Sequence, residues 1–433
     1  MRTRASRVIR KATAKRQSAP VAADGGLRAG PLDALLGRPP HLGNLLAGDE
    51  RRQALACLLA LTTHKPEAER VLEAAARGAA EASRTESAKI IEQAIRAALN
   101  KPTGQITDKD GLAVIELNLL GDHVTDLSAV RGLTQLRILH LDCPELTDIS
   151  AFKDLTQLRR LTLSGTGVTD LTPLAGLLHL RKLDLDFTHV ADLSPLKTLV
   201  RLQTLRLSFT AVGDLSPLER LRQLQTLRLW GSNVVDLSAL RGLTQLQGLD
   251  LRGTFVGNVS VLEGLVQLRT VDLRNTHVTS VSALKGLTQL QLLDLGETAV
   301  TDVAVLNGLT QLRELHLDGT GVVDVSPLTG LAQLQELDLR ETGVTDLSPL
   351  RGLTQLRELD LDGTGVTDVS PLKGLTKLQA LSLTGARVTD VAPLKGLTQL
   401  RVLDLTGTPV EDVSPLDGIP NLEIIGGPER KRR

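Results

Sequence analysis

The chain repeats itself every 22 residues. Gly242, Gly264, Gly286, Gly308, Gly330, Gly352, Gly374, Gly396 and Gly418 mark the period, and the same frame runs back through Arg220, Thr198, Gly176, Asp154 and Gly132 to Asp110. Fourteen complete copies fill Asp110 to Asp417, and a partial one follows. A chain of 433 residues would otherwise suggest two or three globular domains. A fixed period overrides that expectation, because repeat arrays grow by stacking and need no central core.

The copy that starts at Gly352 shows what each unit contains. Its aliphatic side chains are Leu353, Leu356, Leu359, Leu361, Val366, Val369 and Leu372. The stretch "ELDLD" alternates polar and apolar residues, the pattern of a short strand with one buried face. Gly363 and Thr364 then turn the chain, and Ser370 before Pro371 predicts a single helical turn capped by the serine. Burying seven aliphatic side chains yields roughly 10–20 kcal/mol gross. Ordering the copy costs on the order of 1–2 kcal/mol per residue in backbone entropy alone. One copy therefore cannot fold by itself, whereas stacked copies share each aliphatic layer and pair their strands into one parallel sheet.

Two polar columns accompany the aliphatic ones. Thr fills the thirteenth place of most copies from Thr166 to Thr408, where a hydroxyl can satisfy backbone groups of the turn. Asp fills the seventeenth place from Asp126 to Asp412, interrupted by Asn258 and Ser280. Calcium would need several oxygens converging on one point. These acids come one per coil, so turn capping is the expected duty.

The pattern L-x-x-L-x-L-x-x-T-x-V-x-D-V-x-P-L resembles the 22-residue class of leucine-rich repeat, found in bacterial internalins and in the eukaryotic leucine-rich-repeat regulator of protein phosphatase 1. The resemblance implies an α/β solenoid of horseshoe form. It would carry a continuous parallel sheet on the concave face and short helical turns or loops on the convex face, preceded by an α-helical N-terminal region. It also implies binding through the concave sheet, with no particular target.

Four segments follow from the pattern. Residues 1–48 form a basic leader expected to be disordered; its first twenty residues hold seven Lys or Arg and no acid. That composition fits a disordered basic tail, and it also resembles a transit or export signal. Residues 49–109 read as a helical region and array cap, with helices over 49–64, 65–83 and 83–100. Ser83 and Glu86 have capping-box spacing, and Ile91 to Asn100 is expected to cover the first repeat. Residues 110–417 are the array. In 418–433, a partial repeat closes the stack with Ile419, Leu422, Ile424 and Ile425 before a basic tail. No apolar run is long enough to span a membrane. Cys57 and Cys143 suit no disulfide framework, which points to a reducing, cytoplasmic setting, with export that needs no apolar signal peptide as the alternative.

Catalytic signatures are missing: the chain has no H-E-x-x-H, C-x-x-C, G-x-S-x-G or G-x-x-x-x-G-K. His123, His189 and His277 share a column but stand several coils apart, too far to share a metal. His140 and His316 are expected on the sheet face. No enzyme activity, metal or cofactor is expected.

The polar residues of the seventh, ninth and eleventh places alternate with the buried leucines and face outward together. Early copies offer Arg160, Lys182, Arg206 and Arg228, with Asp184 and Asp186 among them. Two middle copies pair Asp250 with Arg252 and Asp272 with Arg274. Later copies turn acidic: Asp294, Glu314, Asp318, Glu336, Asp338, Glu358, Asp360 and Asp362, with Arg340 the exception. Aromatics are scarce, with no Tyr, one Trp and four Phe, yet Phe187, Phe209 and Trp230 fall at the sheet's rim in consecutive copies. They are expected to act as apolar anchors for a partner. Arg206 and Arg228 would meet its acid groups, and the Asp294–Asp362 stretch would meet a basic partner. The function expected is recognition or scaffolding of another protein by a monomer. An exported bacterial effector that binds a host protein is the alternative. Binding of nucleic acid is disfavoured by the acidic half and the few aromatics.

Overall fold

The computed structural model describes residues 65–120 and 123–428. The basic leader, the helix expected over 49–64 and the terminal basic tail lie outside the described residues. Contacts divide the chain after Glu81 into two units. Helix α1 (Lys65–Ala98) begins in the first, and its turns from Ala82 onward belong to the second together with every strand.

Where the sequence predicts separate helices over 65–83 and 83–100, α1 is continuous. Ala, Glu and Arg run across the expected junction and favour helix on both sides of it. Ser83 caps nothing; its hydroxyl instead lies 2.5 Å from the Thr125 hydroxyl. Ile91 and Ile95 are buried in the same core as Val114 and Leu117 of the first coil, with Ile90, Ala94 and Leu99 packed against it. Ser87, fully buried, accepts hydrogen bonds from the backbone N–H groups of Thr125 (3.0 Å) and Asp126 (3.3 Å). Helix α2 (Asp108–Gly111) follows, its Thr107 and Asp110 satisfying each other's backbone N–H in a capping box.

Fifteen strands, from β1 (Glu116–Leu120) to β15 (Glu423–Ile425), lie side by side in chain order and are all parallel. Their register is the sequence period: Glu314 aligns with Glu336, and Glu336 with Glu358. The eighth- and tenth-place leucines, such as Leu359 and Leu361, point inward and join one core that runs through every coil. The final pair departs from the period. Val402 aligns with Glu423, a step of 21, so Ile424 enters the leucine column while Ile425 falls beside Asp404 in an outward row.

Each coil returns through a short 3-10 turn such as Ser370–Gly374. The serine does not cap it. Asp368 does, accepting from the Ser370 N–H at 2.7 Å and from its hydroxyl at 2.8 Å. The same Asp-to-Ser pairing recurs at Asp192, Asp236 and Asp346, so the seventeenth-place acids are turn caps. Thr364 Oγ1 donates to the Leu361 carbonyl at 2.6 Å, and its thirteenth-place equivalents do likewise.

The residue after each strand carries a conformational demand. From Gly165 to Gly407 the twelfth place is left-handed in every coil, occupied by seven glycines and by Phe187 (φ 60°), Phe209 (55°), Asn275 (53°), Glu297 (56°) and Glu341 (54°). The geometry lets the twelfth-place N–H reach the next coil's carbonyl, as from Phe187 to Ser208 at 2.8 Å. Glycine meets the demand without strain, while an L side chain there costs on the order of 1–2 kcal/mol.

Candidate functional site

The twelfth-place aromatics meet. The Phe187 and Phe209 rings stack with centroids 5.0 Å apart and planes 14° apart, and Phe209 meets Trp230 at 4.6 Å in a tilted contact. The Arg252 guanidinium lies 4.7 Å from the centre of the Trp230 ring. This short ladder runs along the strand-exit rim and stays open to solvent, with Phe187 57%, Phe209 41% and Trp230 40% exposed. Gly231 is what lets the rings close up. A Cβ there would stand 2.9 Å from the Phe209 ring. Of the other two aromatics, Phe152 is buried in the core and Phe255 is exposed near His277, centroids 5.9 Å apart.

Behind the rim, arginines and aspartates of the ninth and eleventh places lock into a ladder of ion pairs. Arg206 grips Asp184 at 3.2 Å and also Asp186, a buried carboxylate that accepts the Ser208 N–H at 2.7 Å. Arg252 bridges Asp250 and Asp272, each at 3.0 Å. Arg274 reaches Asp294 (3.3 Å), Glu297 (2.8 Å) and, two coils away, Asp318. Arg340 ties Asp338 (2.5 Å), Asp360 (3.3 Å) and Asp318 (3.7 Å). The long reach of Arg274 depends on Gly296, the one glycine in the eleventh column, because a Cβ there would meet the guanidinium and the Asp318 carboxylate at 2.6 Å.

The ladder sorts the residues expected at the site. Asp294, Asp318 and Asp338 are no more than 9% exposed and already paired, so they brace the sheet. Arg206 is engaged in the same way. Asp362 accepts from the Ser382 hydroxyl and, at 2.8 Å, from the Thr384 N–H. What faces solvent is Glu314 and Glu358, with half-buried Glu336 between them, and Arg228, which has no ion-pair partner among the described residues. The Asp360 carboxyl is half-buried and held by Arg340. His140 lies on the sheet face, 2.9 Å from the Thr162 hydroxyl, and His316 stands 4.0 Å from Glu336.

Crowding of carboxylates shows in their proton affinities. Burial pushes the Asp272 carboxyl up to about 7, with Asp294 adding to the rise and Arg252 opposing it. Burial likewise pushes Asp360 up to about 7, helped by Asp362 and Asp338 against Arg340. Glu336 is raised by burial and by Glu358 and Glu314, while His316 pulls the other way. Among the described residues no three His, Cys, Asp or Glu side chains gather as metal ligands, and no helix is long and apolar enough to cross a membrane.

Sequence reasoning did not single out Arg252 as the cation over Trp230, nor the spanning role of Gly296. The signal for Gly296 was legible as a break in the eleventh column. The reach of an arginine across it was not.

A family model of leucine-rich repeats matches residues 156–198 and 332–374. No curated protein matches the chain. Among solved structures, an internalin (inlF) from Listeria monocytogenes is 26% identical, with 78% of this chain and 96% of that chain covered and a TM-score of 0.66. A leucine-rich-repeat protein of Leptospira interrogans is 22% identical over 75% of this chain and 86% of its own, with a TM-score of 0.69. The functional domain of the Listeria monocytogenes InlJ protein is 22% identical over 76% and 77%, with a TM-score of 0.62.

Proposed function

Because the chain is a leucine-rich-repeat protein of internalin type, we propose that it recognises another protein, without catalysis, through the rim and face of its sheet. Phe187, Phe209 and Trp230 are the apolar anchors. Arg228 is the cation available to a carboxylate of the partner, and Glu314, Glu336 and Glu358 are the acids available to a basic group. Asp294, Asp318, Asp338, Asp360 and Asp362, with Arg206, hold that surface in place through the ion-pair ladder.

One observation carries this reading. Two bulky aromatics occupy consecutive left-handed positions that glycine fills in seven other coils, and the rings they bring stay exposed instead of joining the core. A fold gains little from strained, exposed rings, whereas a binding surface gains rigid apolar area of the kind that dominates interfaces. The rings' stacking on each other, worth roughly 0.5–1.5 kcal/mol per pair, is too small to offset both strained residues.

The test is Phe187→Gly with Phe209→Gly. Glycine restores the backbone's preferred residue, so unfolding free energy should fall by no more than about 1 kcal/mol from the parent. Partner capture, or affinity by calorimetry once the partner is in hand, should fall at least tenfold. Undiminished binding by that variant, and by Phe209→Ala with Trp230→Ala, would remove the anchor site.

A further inference from the structure

The sheet face carries its charges in an order that a half-turn complements. Down the seventh place, Glu116 and Ile138 precede Arg160 and Lys182; Thr204, Thr226, Gly248, Thr270 and Leu292 follow, then Glu314, Glu336 and Glu358. Neither Arg160 nor Lys182 has an ion pair among the described residues, and both are exposed. Each block sets like charges on adjacent strands, Arg160 beside Lys182 and Glu314 beside Glu336, which is unfavourable in an isolated sheet. Arg160 and Glu336 lie eight strands apart, roughly 38 Å at the usual strand spacing, and Lys182 and Glu314 lie six apart.

We propose that two copies of this chain associate face to face as an antiparallel two-fold dimer, the axis running along the strand that contains Gly248. Rotation about that axis sets Arg160 opposite Glu336 and Lys182 opposite Glu314. The small residues Thr226, Gly248 and Thr270 fall at the centre, where bulk would hold the faces apart. The ninth place obeys the same rotation. Arg228, the unpaired arginine, comes opposite Asp272, and His140 opposite Asp360. Two carboxylates crowded by their own neighbours thus each gain a basic group.

Asp184 favours this register, in which it meets His316. Shifting by one coil one way keeps Arg160 and Lys182 opposite Glu358 and Glu336 but sets Asp184 on Asp338; shifting the other way sets Lys182 on Leu292 and Asp184 on Asp294. Within the proposed register the eleventh place brings Asp186 over Asp318, but Arg206 and Arg274 already hold those two carboxylates. On the axis Asp250 and Arg252 each meet their own copy, where Arg252 already holds Asp250 and Asp272 within each chain; Asp142 over Asp362, at the outer ends, is the other unfavourable pair. About ten strands by three outward rows cover on the order of 700 Å² per copy, close to the ~800 Å² typical of a specific interface. Phe187 and Phe209 lie beyond these rows, whereas Trp230 stands in the eleventh and faces Arg274 of the other copy; the dimer therefore competes with a protein partner for Arg228, Glu314 and Glu336 and leaves the Phe187–Phe209 stack open.

Sedimentation of the full chain at about 0.02 M and about 0.5 M salt tests it. A species of twice the chain mass is expected at low salt, its dissociation constant rising at least tenfold at high salt. R160E with K182E should give a monomer, and so should E314K with E336K. An equimolar mixture of the two variants should restore a species of two chains, because one copy is then acidic at both ends and the other basic; recovery also shows that both variants fold. A monomeric parent at low salt, dimers that survive in either variant, or a mixture that stays monomeric or grows beyond two chains would each overturn the proposal.

Discussion

A single missing side chain decides how far an arginine can reach. Gly296 leaves open the path by which Arg274 crosses one coil to hold Asp318 in the next but one, and that bond binds three strands through one guanidinium. Burial alone would loosen the Arg274 proton, but the Asp318 and Asp294 carboxylates outweigh it and hold the group firmly charged. Gly296→Ala should therefore displace the guanidinium and leave Asp318 and Asp294 poorly compensated, at a cost of about 1–3 kcal/mol in urea unfolding. Gly264→Ala is the control, since a Cβ there has nothing within 4 Å. Equal effects from the two substitutions would mean that the long ion pair contributes nothing.

At the scale of elements, the end of the stack is closed by a helix that supplies polar partners as well as apolar cover. The Ser87 hydroxyl on α1 accepts from the backbone N–H groups of both Thr125 and Asp126. Ser87→Ala should leave two half-buried donors without that acceptor and cost about 1–2 kcal/mol, read as a lower urea midpoint with unchanged slope. Ile91 and Ile95 share one helical face in the sequence, and both are buried in the core with the first coil. Sequence alone divided the helix wrongly at Ser83, because a capping box is only a local signal and the tertiary contact to Thr125 claims the same hydroxyl. The slipped last pair was likewise hidden: "IPNLEII" keeps apolar residues at several spacings, and only strand pairing shows that Ile424, with Leu403, takes the inward place.

For the whole array, the period made the inward columns, the parallel register and the outward rows legible, since each follows from alternation along a strand. The state of those outward residues was not legible, because it depends on which neighbour a long side chain chooses; Asp294, Asp318 and Asp338 read as free acids and prove to be ladder rungs. That ladder gives the molecule a pH signature. Asp272 and Asp360 hold their protons up to about 7, against 3.8 for an ordinary aspartate, so unfolding releases protons between those values and stability falls as pH rises through that window. The turn-capping acids Asp192, Asp236 and Asp346 have the opposite sign: hydrogen bonds from the serine two residues on lower their proton affinity, and what they contribute is lost only below the ordinary aspartate range. The melting temperature should therefore be higher at about pH 5 than at about pH 8, and Asp272→Asn with Asp360→Asn should flatten the difference. A profile that climbs steadily from pH 5 to pH 8 would show that the ladder carboxylates are ordinary acids. The left-handed place at each strand's exit has a longer reach. It recurs once per coil at roughly 4.8 Å intervals, touches no inward column, and already tolerates Gly, Asn, Glu and Phe. A library that varies only those positions could rewrite the molecule's specificity one letter at a time, at a fixed and modest toll per letter, while its interior stays as it is.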